Sequence, residues 1–258
     1  MATIACPTGA SVGQSRASRR TARLKVLASV VVATAATGAA AAPSASARTP
    51  PVVRPTQELA MLLKSHKVFS APHARRSRVS TVRASRPITG AQTVLPVLGH
   101  TTSGGAHWLR VMIPGRPNGM KGWIAQRRTV PATTSWHVVV RKSSRRVRVY
   151  RRGRLVRSFA AVVGKPSTPT PHGRFFVEES VRMLRGSAGA PYALALSARS
   201  NVLQEFEGGP GQIALHGVAN LGGIPGTAIS HGCVRLANRN IRWLAARVAP
   251  GVPVAIRP

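Results

Sequence analysis

The chain has 258 residues, room for one sizeable core or two modest domains, and its 43% hydrophobic content is that of a folded protein. Its 38 Lys and Arg face five acidic residues, all glutamate (Glu58, Glu178, Glu179, Glu205 and Glu207), for a formal net charge of +33 with no aspartate. That excess fits nucleic-acid binding, affinity for another polyanion such as an anionic wall polymer or membrane surface, or an arginine-rich base composition, and the N-terminus separates the first of these from the rest.

Arg16, Arg19, Arg20, Arg23 and Lys25 precede a weakly apolar run from Val26 to Ala42, followed by Ser44-Ala45-Ser46-Ala47. A basic start, a short apolar centre and a small-residue end describe a secretory signal, read here as residues 1–47. The run is slightly short for a membrane span, so a membrane is a partner only if the signal stays uncleaved. The Arg19-Arg20 pair is a weak hint of twin-arginine export, because the hydrophobic residues expected just after it are missing. An exported protein rarely meets nucleic acid, and the reading is of a protein of the cell wall, periplasmic space or extracellular medium with no nucleic-acid partner. Cleavage removes Cys6 and leaves Cys233 as the single cysteine in an oxidising setting, which suggests a reactive thiol, intermolecular pairing or an inert buried residue.

Residues 48–92 are rich in Arg, Ser, Pro and Ala and are expected to be a disordered basic linker, with a short helix possible in Thr56–Phe69 capped by Thr56. From Thr93 short runs rich in Val, Trp and Ile alternate with Gly, Pro and Asn, which predicts small strands over 93–131. Trp108–Ile124 resembles the SH3-like modules of bacterial wall proteins, and a small SH3-like β-barrel is the expectation there. A second β-rich unit covers 134–258. In it Val147 and Val149 alternate with Arg146 and Arg148, as in a half-buried strand. Pro166, Pro169 and Pro171 keep Lys165–Gly173 out of helix and central strand. One helix near the end has Ile241, Leu244, Ala245 and Val248 on its apolar face, with Asn238 or Asn240 able to cap it, and a strand ends the chain. The fold class is mainly β with one C-terminal helix.

His216 ends one predicted strand, and Ser230-His231-Gly232-Cys233 follows a loop. A thiol and an imidazole are the parts of an activated nucleophile and its base. Gly232 lets the backbone turn tightly, so that the amides of Gly232 and Cys233 can point at one spot and form an oxyanion hole. Blander readings stand beside these. Histidine at a strand end is often structural, and Ser230 can simply cap a turn. A zinc site on His216, His231 and Cys233 would need a distant fourth ligand, with no C-x-x-C pair and no aspartate in the chain. Ser230 as nucleophile is disfavoured by a better thiol three residues away.

The stretch Leu215–Ile241 resembles the signature of the L,D-transpeptidase family with its YkuD-type catalytic domain: a His, a loop, then Ser/Thr-His-Gly-Cys, commonly followed by an apolar residue and Arg. Val163–Val177, with its Thr-Pro-Thr-Pro, and the terminal Gly251–Ile256 resemble the same family. The resemblance implies a mixed β-sandwich or barrel catalytic domain and a cysteine-dependent acyltransferase of peptidoglycan stem peptides. It implies Cys233 as nucleophile and His216 as base, with the Gly217 carbonyl orienting that imidazole, a role any residue can fill. It also implies His231, Gly232 and Cys233 in the oxyanion stretch. Arg235 is expected to contact a substrate carboxylate or to hold the loop, and Tyr192 to line the cleft or belong to the core. Asn240 stands where many relatives have Asp. The implied chemistry is cross-linking through a thioester with release of terminal D-Ala, or trimming if water is the acceptor, with no cofactor. Relatives are typically acylated by carbapenems and resist most penicillins. The rival from another class is a wall-binding protein on a catalytically dead fold.

Overall fold

The computed structural model describes residues 53–205 and 208–258. The expected signal segment, 1–47, lies outside the described residues.

Seven strands come first: β1 (Gln57–Leu62), β2 (His66–Phe69), β3 (Arg78–Val82), β4 (Val94–Ser103), β5 (Ala106–Met112), β6 (Lys121–Ala125) and β7 (Thr129–Thr134). They form one antiparallel sheet in the order β3-β2-β6-β5-β4-β1-β7. Two expectations fail here. Residues 57–62, 66–69 and 78–82 are strands and not a disordered linker, and Thr56–Phe69 is not a helix. The reason is tertiary. β1 finds a partner on each side, in β4 and β7, so it becomes a central strand despite its modest β-propensity. Leu62, Val68, Val82, Leu95, Val111 and Ile124 then share one core.

After Ser135 the chain enters a second sheet. Its strands are β8 (Trp136–Arg141), β9 (Arg146–Arg151) and β10 (Arg154–Ala160), the short β11 (Val163–Gly164), then β12 (Gly173–Arg182), β13 (Tyr192–Arg199) and β14 (Gln212–His216), and the short β15 (Ala228–Ser230) and β16 (Val234–Arg235). The helix α1 (Asn238–Ala245) and β17 (Pro253–Arg257) complete it. Eight of the strands form a mixed sheet, β10-β9-β8-β17-β12-β13-β14-β16, and β11 pairs separately with β15. The half-buried reading of β9 holds, since Val147 and Val149 are fully buried. The β9–β10 hairpin turns on Arg152 (φ 49°) and Gly153 (φ 76°), both in the left-handed region that a tight two-residue hairpin needs. Helix α1 buries Ile241 and Leu244 against the sheet, with Val248 just beyond. Its cap differs from expectation. Ala237 occupies the N-cap without a side-chain hydrogen bond, and the Asn238 Oδ1 instead accepts the Val218 amide at 3.0 Å.

The two sheets pack together through β12. Phe175 belongs to the core of the second sheet and its neighbour Phe176 to that of the first, as side-chain alternation along a strand dictates. Beside them lies a buried ion cluster. Glu178 pairs with Arg86 and, at 2.9 Å, with Arg199. Glu179 accepts the Thr89 amide and hydroxyl, both at 2.9 Å. Arg86 and Thr89 come from the stretch expected to be a loose linker. Burial pulls the Arg199 guanidinium down to about 10, although Glu178 holds it. Arg116 adds four backbone-carbonyl contacts to the segment Ser200–Pro210, among them Ser200 and Leu203 at 2.9 Å each.

Removing the shared carboxylate would leave two guanidiniums buried without it. Glu178→Ala is expected to cost about 3–5 kcal/mol, read from denaturant unfolding, because a buried pair broken on one side leaves an uncompensated charge. A loss below about 1 kcal/mol would show that the cluster does not hold the sheets together.

Candidate active site

The site is built where β14 and β16 run side by side in parallel, with Leu215 opposite Val234 and His216 opposite Arg235. This register brings the end of one strand, carrying His216, beside the start of the other, which Cys233 precedes. His216 is 2% exposed and Cys233 8% exposed, so both lie inside the fold. The cysteine packs with Ala193 of β13 and Ala214 of β14, and Met183 and Leu221 border this small cluster. Two alanines on neighbouring strands leave room for the thiol, whose Sγ lies 3.9 Å from the Gln212 carbonyl oxygen.

The His216 Nδ1 is 2.7 Å from the Gly217 carbonyl oxygen. A carbonyl only accepts, so Nδ1 carries the proton and, in the neutral ring, Nε2 carries the lone pair. Any residue could lend that carbonyl, but the position itself has room only for glycine. A Cβ at Gly217 would lie 1.9 Å from the Ala190 carbonyl oxygen and 2.7 Å from Asn238 Oδ1. Gly189, unmarked in the sequence, is the second wall of the same seat: a Cβ there would stand 2.7 Å from His216 Nδ1. The backbone closes the seat, with the Gly217 amide donating to the Gly189 carbonyl at 2.8 Å.

The turn before the thiol is held from within and from outside. Ser230 is fully buried, and its Oγ donates to the Cys233 carbonyl at 2.6 Å and accepts the Gly232 amide at 3.1 Å. Gly232 takes φ 121°, which a side chain would resist. The Gly232 amide thus serves the turn, and the expectation that it points with the Cys233 amide at one spot is not met in this state. Ser230 is a turn-locking residue. His231 sits half-buried in the same turn.

Two threonines that sequence reasoning assigned no role clasp this turn from outside. Thr168 Oγ1 donates to the Ser230 carbonyl at 3.1 Å, and Thr170 Oγ1 donates to the Gly232 carbonyl at 2.8 Å while accepting the Gly164 amide at 2.9 Å. The Thr-Pro-Thr-Pro alternation was the available signal: the prolines prevent regular pairing and the threonines use their hydroxyls instead.

Arg235 is 4% exposed and its guanidinium donates to the Gly222 carbonyl, so it holds the loop between His216 and Cys233. This contact is of the loop-holding kind. Tyr192 opens β13 and packs against the main core. Asn240 lies in the first turn of α1, and its amide donates to the Ala237 carbonyl. Among the described residues no group of three or more His, Cys, Asp or Glu is placed to hold a metal ion.

A β-protein with a buried thiol and a tautomer-fixed imidazole at adjoining strand ends has the parts of a thiol acyl-transfer site. Comparison with known proteins gives the family. The model of the YkuD L,D-transpeptidase catalytic domain matches residues 135–256. The chain is 34% identical to the YkuD protein of Bacillus licheniformis over 128 residues, covering 50% of this chain and 69% of that protein. It is 29% identical to the YkuD protein of Bacillus subtilis over 146 residues, covering 57% and 73%. A crystal structure of an L,D-transpeptidase from Mycobacterium tuberculosis H37Rv aligns with 77% of this chain and 96% of its own, at 18% identity and a TM-score of 0.41. The chain belongs to the L,D-transpeptidase family with the YkuD catalytic domain.

The glycine seat of His216 yields a paired expectation. Gly217→Ala forces a carbon against a backbone carbonyl and should destabilise the fold by about 2 kcal/mol or more in denaturant unfolding. Gly222→Ala, where nothing lies within 4 Å of the new carbon, should stay within about 1 kcal/mol of the parent. Equal effects at the two positions would remove the close approach as the reason for Gly217. In the same way Thr170→Val leaves a buried amide and carbonyl without the hydroxyl and should cost about 1–3 kcal/mol.

Proposed function

We propose that this chain is an exported peptidoglycan L,D-transpeptidase that works through a thioester on Cys233. The observation that carries the reading is the seat of His216. Its Nδ1–H is committed to the Gly217 carbonyl, which leaves Nε2 as the basic end, on the strand that adjoins the cysteine.

The cycle has two acyl transfers. The Cys233 thiol gives its proton to His216 Nε2, and the thiolate attacks the carbonyl carbon that joins the third residue of a stem peptide to its terminal D-Ala. The tetrahedral oxyanion forms beside the turn His231-Gly232-Cys233, and the Gly232 amide serves it only by giving up the Ser230 hydroxyl to which it donates in this state. The C–N bond then breaks, and His216 returns the proton to the departing amine. An amine of a neighbouring stem attacks the thioester and loses its proton to His216. The C–S bond breaks and the thiolate is restored. Ser230, Thr168, Thr170 and Arg235 act as positioning residues, because they touch the turn and loop and not the reacting atoms. Low exposure suits the chemistry, since water would divert the thioester to a trimmed stem.

The seven-stranded sheet, together with the excess of basic residues, serves to hold the enzyme at its polymeric substrate. Export follows from the N-terminal basic and apolar segments.

Intact-mass spectrometry with a carbapenem tests the nucleophile and the base together. The expected result is one adduct per chain, absent in Cys233→Ala and formed at least about tenfold more slowly in His216→Ala, as loss of a general base predicts. An adduct that persists in Cys233→Ala would assign the nucleophile elsewhere, and equal rates in His216→Ala would deny it the role of base. Incubation with a tetrapeptide-stem dimer then separates the outcomes: a cross-linked product supports the transpeptidase, a shortened stem alone makes the enzyme a carboxypeptidase, and no turnover by an acylable protein favours a binding protein on this fold.

A further inference from the structure

We propose that a groove in the first sheet, remote in the chain from the Cys233 turn, binds a linear phosphodiester polymer of polyol or sugar units. The groove has a volume of about 1180 Å³ and is formed at the β3-β2-β6-β5 side of the sheet. Six cations line it: Lys64 and Lys67 on and before β2, Arg76 and Arg78 leading into β3, and Arg127 and Arg128 in the β6–β7 turn. All six are exposed, and no acidic residue lines the groove. The ion pairs among the described residues engage Arg86, Arg199 and His100, and none of these six.

The groove is also braced. His66 is 7% exposed, and its two ring nitrogens lie 2.7 Å from the Lys64 carbonyl oxygen and 3.0 Å from the Arg127 carbonyl oxygen. The imidazole therefore fills the space between the β2 wall and the β6–β7 wall, and in its neutral form donates its one N–H to one of these two carbonyls. Beneath lie Phe69 and Trp108, edge to face with centroids 5.7 Å apart.

Two features choose the ligand. Six cations from three separate chain segments around one cleft of this volume match an anion that recurs along a chain, better than a single small anion. Flexible single-stranded nucleic acid would also recur, but it gains its affinity from bases stacked on open aromatic faces. Trp108 is only 4% exposed, so the floor offers apolar contact without an open indole face. A polyol or sugar backbone with regular phosphates needs charge and a smooth floor, and no stacking platform. Four of the six cations are arginines, whose forked donors suit phosphate oxygens.

The inference does not depend on the catalytic reading. Binding of poly(glycerol phosphate) of defined length to the full chain is measured by thermophoresis, with single-stranded DNA of equal charge as the rival. The polymer should bind more tightly than the DNA and weaken roughly 300-fold between 50 and 200 mM salt, as about six neutralised phosphates on a flexible single chain require. Lys67→Glu with Arg127→Glu should weaken it at least tenfold. Arg154→Glu with Arg239→Glu, which makes the same charge change at exposed positions outside the groove, should alter it less than twofold. Where the glutamate pair lowers Tm, the milder Lys67→Gln with Arg127→Gln replaces it, with at least a threefold loss expected. Carbapenem acylation of Cys233 should be unchanged in the groove variants. Equal weakening by both pairs would reduce the effect to net charge, tighter binding of DNA would make the groove a nucleic-acid site, and no binding of the polymer would remove the proposal.

Discussion

Everything at the candidate site depends on two residue pairs, Leu215 with Val234 and His216 with Arg235, where β14 and β16 meet in parallel. Parallel neighbours need a crossover, and here the crossover is the loop and short β15 between residues 216 and 234. The loop must return the chain so that the thiol stands at the start of one strand while the imidazole stands at the end of the other. Its path is pinned along its length. Arg235 holds the Gly222 carbonyl, Asn238 takes the Val218 amide, and the two threonines hold the Ser230 and Gly232 carbonyls. Each contact is modest by itself. Together they remove the freedom that would otherwise let a two-strand parallel edge fray and separate the thiol from the imidazole.

The second constraint is the fusion of the two sheets at β12. A strand that sends successive phenylalanines into two cores cannot shift without disturbing both. The buried Glu178 with Arg86 and Arg199 adds a polar lock whose members lose much more when separated than they gain when joined. The first sheet is thus packed onto the sheet that bears Cys233 through a shared strand and a buried ion cluster.

The charge distribution follows from the same arrangement. Glutamates are scarce in this chain, and Glu178 and Glu179 are buried where they serve structure. The surface is therefore left strongly cationic. General basicity attracts polyanions at long range, and screening limits it to about 8 Å at physiological ionic strength. The groove around His66 differs from that background in having an imidazole between its walls and a floor of aromatic carbon.

The sequence by itself determined the features whose cause is local. The hairpin at Arg152-Gly153, the alternation of Val147 and Val149, the apolar face of α1 and the breaking of pairing by Pro166, Pro169 and Pro171 all rest on neighbours within a few residues. The Ser-His-Gly-Cys run was legible for the same reason, since four adjoining residues make the turn that presents the thiol. Contacts distant in the chain were decided only by the tertiary structure. The segment 57–82 looked like linker or helix because its strand partners lie tens of residues away in β4, β6 and β7. Gly189 had no mark in the sequence and Gly217 was expected only to lend its carbonyl, because what requires glycine at these positions is the His216 imidazole and the Ala190 carbonyl, brought there by the fold. Arg235 looked equally suited to a substrate and to a loop until the fold buried it against Gly222. A side chain's chemistry is written in the sequence, whereas its partner is chosen by which strands pair, and pairing is settled by burial summed over the whole sheet.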